Sequence, residues 1–319
     1  MIMRMIYLFQ VRRFEKKSIA VGLAVSLSSC AAVEFMRCAS HGEDVPFDAQ
    51  KNNLELCRNP EGGEFKAQSI IHPVYCFPSN RSKPPVLLLH ELPGLSGKTL
   101  AYAKELSQDF TVYVPLLFGE LNMYSTLWGS AAFWFNGQWW GLESGDSKIV
   151  ASLRAVVKEI ERLHENQPIG VIGNCLTGSI PLALLDNRQI HAVVLAQPTL
   201  PLTIFDNSED VRKSLGISRG EITKAQDSSA KILYLRFQTD CISKPEKQET
   251  LRTEFPAERF PGRVTMKEIP GSASLGERVH STLIGEWSDA EPGKPSRDAR
   301  EEVKRFLRDP EQFVTTSKQ

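Results

Sequence analysis

Gly173-Asn174-Cys175-Leu176-Thr177-Gly178 carries the densest chemical signal in the sequence. A short apolar, β-branched run, Ile169-Gly-Val-Ile172, precedes it. Ser179-Ile-Pro-Leu-Ala-Leu-Leu185 follows and can form a buried helix. A nucleophile between glycines, at a junction of strand and helix, sits on a sharp elbow whose small residues permit the turn. The partial positive charge and N–H groups of the helix N-terminus there favour the thiolate of Cys175. A thiolate held this way can attack carbonyl carbon. It then needs a base, an acid to orient the base, and donors for the developing oxyanion.

In chains built on such an elbow the order is nucleophile, acid, histidine, and this sequence supplies candidates in that order. Asp240 comes just past the apolar run Lys231–Phe237, where parallel sheets present functional residues. Asp206 and Asp227 are rivals without a preceding apolar strand, and a solvated turn aspartate is the plain alternative for Asp240. His280 ends the glycine- and serine-rich stretch Gly271–His280, a loop able to carry an imidazole back over the elbow. His41, His72, His164 and His191 fall in the lead-in, the early strands, a helix end and a strand start. Glu91 follows the buried run Pro84–His90 in His90-Glu91-Leu92-Pro93-Gly94. The loop after this strand supplies one oxyanion N–H and the residue after the nucleophile the other, which makes the amides of Leu92 and Leu176 the candidates. A carboxylate beside an oxyanion site opposes catalysis. Glu91 makes sense there if it takes the proton of Cys175 and so becomes neutral; an exposed or salt-bridged glutamate is the alternative.

The elements that must position these groups alternate. Pro84–His90, Thr111–Pro115, Ile169–Ile172, Ile190–Ala196, Lys231–Phe237 and Arg263–Ile269 read as strands. Lys98–Gln108, Asp146–His164 and Arg297–Leu307 read as helices, and Glu64–Phe77 as early antiparallel strands. This alternation predicts an α/β class with a mostly parallel central sheet covered on both faces, in the α/β-hydrolase fold. Leu121–Leu142 breaks the rhythm with Trp128, Phe133, Trp134, Phe135, Trp139 and Trp140. It is either a core-facing helix or, after a strand's carboxyl end, a small aromatic cap insertion; a membrane-contacting patch is the third option.

His90-Glu91 with its following glycine, Gly173-x-Cys175-Leu176-x-Gly178, Asp240 and His280 together resemble the dienelactone hydrolase family, the carboxymethylenebutenolidase-like enzymes, over roughly residues 60–310. The resemblance implies a Cys175–His280–Asp240 triad, with Glu91 activating the thiol once substrate binds. It also implies two arginines that hold a substrate carboxylate. Here the stretch past the histidine reads His280-Ser281-Thr282-Leu283-Ile284, and the loop after Pro115 reads Leu-Leu-Phe-Gly-Glu-Leu-Asn. Neither contains arginine, which argues against that anionic substrate; the aromatic stretch argues for something more apolar. The polar piece around Asp206–Asp227 suggests an extra helical lid.

Basic and acidic residues balance at 38 each, which leaves no electrostatic footprint for nucleic acid. Arg12, Arg13, Lys16 and Lys17 precede a short apolar run and Leu27-Ser28-Ser29-Cys30, which resembles the lipobox of bacterial lipoproteins. The sequence thus predicts a signal peptide over 1–29 with Cys30 lipidated, a tether and lead-in over 30–62, and a hydrolase domain over 63–319. An ordinary signal peptide, or a mis-called start on a cytoplasmic enzyme, are the alternatives. Cys38, Cys57, Cys76 and Cys241 allow three complete pairings, and the sequence chooses none.

These readings converge on an exported hydrolase of carboxylic esters or lactones, lipid-anchored in the bacterial envelope. It would act on a small-molecule substrate through a cysteine acyl-enzyme, with no cofactor; no His/Cys/Asp run in the sequence has metal-ligand spacing. A thioesterase or acyl transferase on the same scaffold is the alternative enzyme, and a non-catalytic lipoprotein binding an apolar ligand the alternative class.

Overall fold

The structure is a computed structural model that describes Cys38, 45–58, Phe65, 69–77, 82–123, 125–135, 137–139, 141–165, 167–203, 206–271, 280–285 and 294–316. The predicted signal segment, Cys30 and the glycine–serine stretch 272–279 lie outside these residues.

Among the described residues the strands are β1 Glu55–Leu56, β2 Val74–Cys76, β3 Pro85–Leu89, β4 Thr111–Pro115, β5 Ile169–Asn174, β6 Ile190–Ala196, β7 Lys231–Phe237 and β8 Val264–Ile269. They form one sheet in the order β1-β2-β4-β3-β5-β6-β7-β8. β1 and β2 add antiparallel at one edge, and every pair from β4 onward is parallel. The apolar runs explain this. β3 and β5 are buried at every position, as strands covered on both faces must be.

Successive side chains point to opposite faces, and the core divides accordingly. Leu87, Leu89, Val171, Val193 and Tyr234 enter one cluster with Ile149, Leu153, Val156 and Ile160 of α3 (Lys148–Leu163). Val86, Leu88, Ile172, Val194 and Leu233 enter the other with Leu100 and Leu106 of α1 (Gly97–Leu106) and Val303 and Phe306 of α8 (Pro295–Arg308). Between α1 and α3, α2 (Thr126–Phe135) occupies the aromatic stretch. After β5 come α4 (Ile180–Ala183) and, beyond β6, α5 (Glu209–Lys213) and α6 (Arg219–Asp227), helices in the polar piece read as a lid. α7 (Glu246–Glu254) follows β7, and α9 (Pro310–Thr316) closes the chain. No helix among the described residues is long and apolar enough to cross a membrane.

Part of the stretch read as tether and lead-in is held to the sheet. β1 pairs with β2, and two disulfides, Cys57–Cys76 and Cys38–Cys241, span Cα separations of 5.4 and 6.4 Å. Cys175 is the free cysteine among the described residues, and it is buried.

Candidate active site

β5 runs directly into a 3-10 turn, Cys175–Thr177, and Cys175 itself takes φ = 51°. A side chain in this left-handed region is strained, and the strain persists only where surroundings impose it. The two glycines of the motif are part of that imposition. A Cβ on Gly173 would lie 2.4 Å from the Thr177 carbonyl oxygen, and one on Gly178 would lie 2.6 Å from Pro198 Cα. Polar groups supply the rest. Asn174 N–H donates to the Thr177 hydroxyl at 2.9 Å, and Asn174 Nδ2 donates to Leu89 O at 2.9 Å. The elbow is thereby tied to the carboxyl end of β3.

Asp240 stands three residues past β7, where the sequence placed it. Its Oδ1 accepts the N–H groups of Ile242 and Ser243, both at 2.8 Å. The His280 ring then docks Nδ1 onto the same carboxylate at 2.9 and 3.1 Å. His280 Nε2 is buried with no hydrogen-bond partner among the described residues. It faces the elbow: a His280 ring nitrogen, Cys175 Sγ and a Glu91 carboxylate oxygen all lie within 4.8 Å of one another. All three residues are at most 2% exposed. Burial by itself would lower the imidazole pKa, but the Asp240 carboxylate and the Cys175 sulfur beside it outweigh burial and hold it well above 6.5.

Glu91 is not exposed and is held from two sides. Gln197 Nε2 donates to Oε2 at 3.0 Å, and the Ser281 hydroxyl donates to Oε1 at 2.5 Å. Gln197 in turn accepts from Thr282 N–H at 3.2 Å and from the Thr282 hydroxyl. The preceding residue, His90, stiffens the loop. Its Nδ1 donates to Glu91 O at 3.2 Å while Nε2 accepts Leu117 N–H at 2.9 Å. This requires a neutral ring, and burial pushes the His90 pKa down to about 4. Gly94 N–H also donates to Glu91 O, at 2.9 Å, turning the segment that carries Leu92. Leu92 and Leu176 are both buried, in the same core cluster as Cys175.

The fold therefore gathers Glu91, Cys175, Asp240 and His280 from four separate connections at the carboxyl ends of β3, β5 and β7 and the stretch beyond β8. The sequence reading missed three participants. Gln197 follows β6 directly and takes φ = 37°; the strand-end argument that selected Asp240 applies to it equally. Thr199 places its hydroxyl 3.5 Å from Cys175 Sγ. Ser281 opens the stretch past His280 in which an arginine was sought, and its hydroxyl serves Glu91. Of the alternatives, Asp206 is half-buried and accepts the Ser208 N–H at 2.9 Å, and Asp227 is exposed. His164 instead meets the Tyr113 hydroxyl at 2.9 Å.

The aromatic stretch divides between the two roles considered for it. Phe133 and Trp139 are buried against Phe118, with ring centroids 5.6 Å from it in both cases. Trp128 is 69% exposed. With Gly119, Glu120, Met123, Ala131 and Ala132 it lines a cleft of about 550 Å³ next to Pro93 and Gly94. That lining is mainly apolar and includes no arginine.

No family model and no curated protein matches the chain. Solved structures do. A dienelactone hydrolase-like protein from Klebsiella pneumoniae superposes with a TM-score of 0.55 at 18% identity, over 80% of this chain and 98% of that one. Esterase B of Lactobacillus rhamnosis, solved with a tributyrin phosphonate, superposes with a TM-score of 0.52 at 14% identity, over 95% and 98%. At such identities the likeness concerns architecture. With its mostly parallel eight-stranded sheet, its elbow at the end of β5 and helices on both faces, this chain has the α/β-hydrolase fold.

Proposed function

We propose that the protein hydrolyses carboxylic esters or lactones through a cysteine acyl-enzyme, in the manner of dienelactone hydrolases. The observation that carries this reading is the strained Cys175, at φ = 51° on a glycine-flanked elbow, facing an imidazole that Asp240 grips at 2.9 Å. Cys175 Sγ attacks the carbonyl carbon, and the C=O electron pair moves onto oxygen, where the amides of Leu92 and Leu176 stabilise it. Collapse breaks the C–O bond to the leaving group, which takes its proton from the His280 imidazolium. Water then gives a proton to neutral His280 and attacks the thioester, and the thiolate departs.

Glu91 takes the thiol proton when substrate enters and passes it to the adjacent His280, which thereby becomes the imidazolium that serves the leaving group. Ser281 and Gln197 each donate to one oxygen of Glu91 and so hold the carboxylate in place beside the sulfur. The absence of arginine from the two family positions supports an uncharged substrate over a dicarboxylate. The disulfide pairs support an oxidising compartment, consistent with export and lipidation of Cys30; the mass of the mature N-terminus from cell membranes tests that placement.

The functional test is turnover of neutral aryl esters and lactones against their anionic counterparts. Wild type is expected to prefer the neutral set and Cys175→Ala to turn over neither. Equal turnover by Cys175→Ala, or a marked preference for dicarboxylate lactones, contradicts the reading.

A further inference from the structure

Glu91, Cys175 and His280 offer one oxygen, one sulfur and one nitrogen within 4.8 Å of one another, although no two of them are near in sequence. Three protein ligands with a vacant fourth direction is the arrangement in which a tetrahedral Zn²⁺ keeps an exchangeable position. We propose that this cluster is also a binding site for a thiophilic divalent cation of the zinc class, and that its occupancy and thioester chemistry exclude each other.

The groups that orient metal ligands are already built around it. Ligating histidines commonly donate their other ring nitrogen to a carboxylate, and ligating carboxylates are themselves hydrogen-bonded. Here Asp240 takes His280 Nδ1 at 2.9 Å and leaves Nε2, buried and without a hydrogen-bond partner among the described residues, aimed at the cluster. Gln197 and Ser281 fix the Glu91 carboxylate. The Thr199 hydroxyl stands 3.5 Å from Cys175 Sγ.

Charge and softness select the ion. Thiolate and carboxylate together balance a divalent cation, which removes the cost of burying unpaired charge. Sulfur and imidazole suit zinc and disfavour Mg²⁺, which demands octahedral oxygen ligands. Bond lengths of about 2.0–2.3 Å put tetrahedral ligand atoms roughly 3.3–3.8 Å apart, so binding draws the present cluster inward by on the order of 1 Å. The step balances simply. The Sγ–Zn, Nε2–Zn and Oε–Zn bonds form, and the single proton shared by the thiol–imidazole pair leaves to solvent. No oxidant is involved.

The test uses the intact, disulfide-bonded chain and ZnCl₂, and reads binding directly instead of turnover. Titration against a chromogenic chelator is expected to show one equivalent bound. Saturating Zn²⁺ should slow alkylation of Cys175 by iodoacetamide at least tenfold, located by peptide mass, with full recovery on adding EDTA; Mg²⁺ should do neither. Glu91→Gln should weaken zinc about 10–100-fold, and Cys175→Ala should weaken it more. Should a variant misfold, Co²⁺ added to wild type reports alone, through a thiolate-to-cobalt charge-transfer band. Absence of that band, alkylation indifferent to zinc, or undiminished one-equivalent binding by folded Cys175→Ala overturns the proposal. These readouts separate it from the esterase reading, since zinc binding without ester turnover retains the site and refutes the enzyme.

Discussion

His280 decides how the site responds to pH. Asp240 and the Cys175 sulfur hold its pKa well above 6.5 against the opposing effect of burial. In chelator-treated enzyme the imidazolium needed by the leaving group therefore survives above pH 6.5, and the alkaline limb of kcat/KM is expected well above that value. Asp240→Asn removes the largest favourable influence. It should draw that limb downward and cut kcat on the order of 10³–10⁴-fold. A limb unmoved by Asp240→Asn would show that the carboxylate does not act on the ring. The Ser281 hydroxyl belongs to the same scale. Ser281→Ala leaves one Glu91 oxygen short of a buried donor, which is expected to cost about 1–3 kcal/mol in urea unfolding. A loss below about 0.5 kcal/mol, within the scatter of ordinary surface changes, would mean that the Glu91 pocket readily readmits water.

The elements show why some of this was legible in the sequence and some was not. Runs buried on both faces announce themselves, so Pro84–His90 and Lys231–Phe237 fall within a residue of β3 and β7. The carboxyl ends of those runs then pointed to Glu91 and Asp240. Gln197 was passed over because a lone glutamine after a strand carries no titratable signal; its role comes from Glu91 and Thr282 on either side of it, contacts 106 and 85 residues distant. The pairing of Cys38 with Cys241 was hidden for the same reason, across 203 residues. The elbow helix is also shorter than its apolar run suggests. The chain makes a 3-10 turn first, and α4 spans only Ile180–Ala183. β1 arises at Glu55–Leu56, where no alternation marks it, because sheet pairing alone makes it a strand.

Two connections at this scale can be cut. The Cys38–Cys241 bond fixes the residue next to Asp240 and closes a long loop. Cys38→Ser is expected to lower stability by about 2–4 kcal/mol, seen as a lower midpoint in thermal unfolding. An unchanged midpoint would show that the bond constrains nothing the fold needs. On the other side, α2 crosses the loop carrying Leu92 so closely that a Cβ at Gly129 would lie 2.0 Å from Pro93 O. Gly129→Val must displace either the helix or the loop. The expected result is a fall in kcat with a smaller change in stability, and loss of stability alone would detach α2 from the chemistry.

For the whole molecule, the buried histidines set opposing slopes of stability against pH. His90 is neutral in the fold with a pKa of about 4 against 6.5 unfolded. Between those values the unfolded chain binds the extra proton, so stability falls as pH drops through that window, by up to about 3 kcal/mol. His72, lowered by burial, acts in the same direction. His280 acts oppositely: its contribution is complete below pH 6.5 and is lost as pH rises through its raised value. Urea unfolding with chelator present should therefore weaken from pH 6.5 to 4, and a flat profile there would mean that His90 is charged in the folded protein.

The central claim concerns a covalent bond to one sulfur, and it can be weighed. Wild-type protein mixed with an excess of a neutral aryl ester, quenched in acid within the burst and digested, should carry one acyl group on the peptide containing Cys175. Hydroxylamine should remove it, as it removes a thioester. An acyl group on any other side chain during competent turnover, or steady turnover with Cys175 replaced by alanine, contradicts the account.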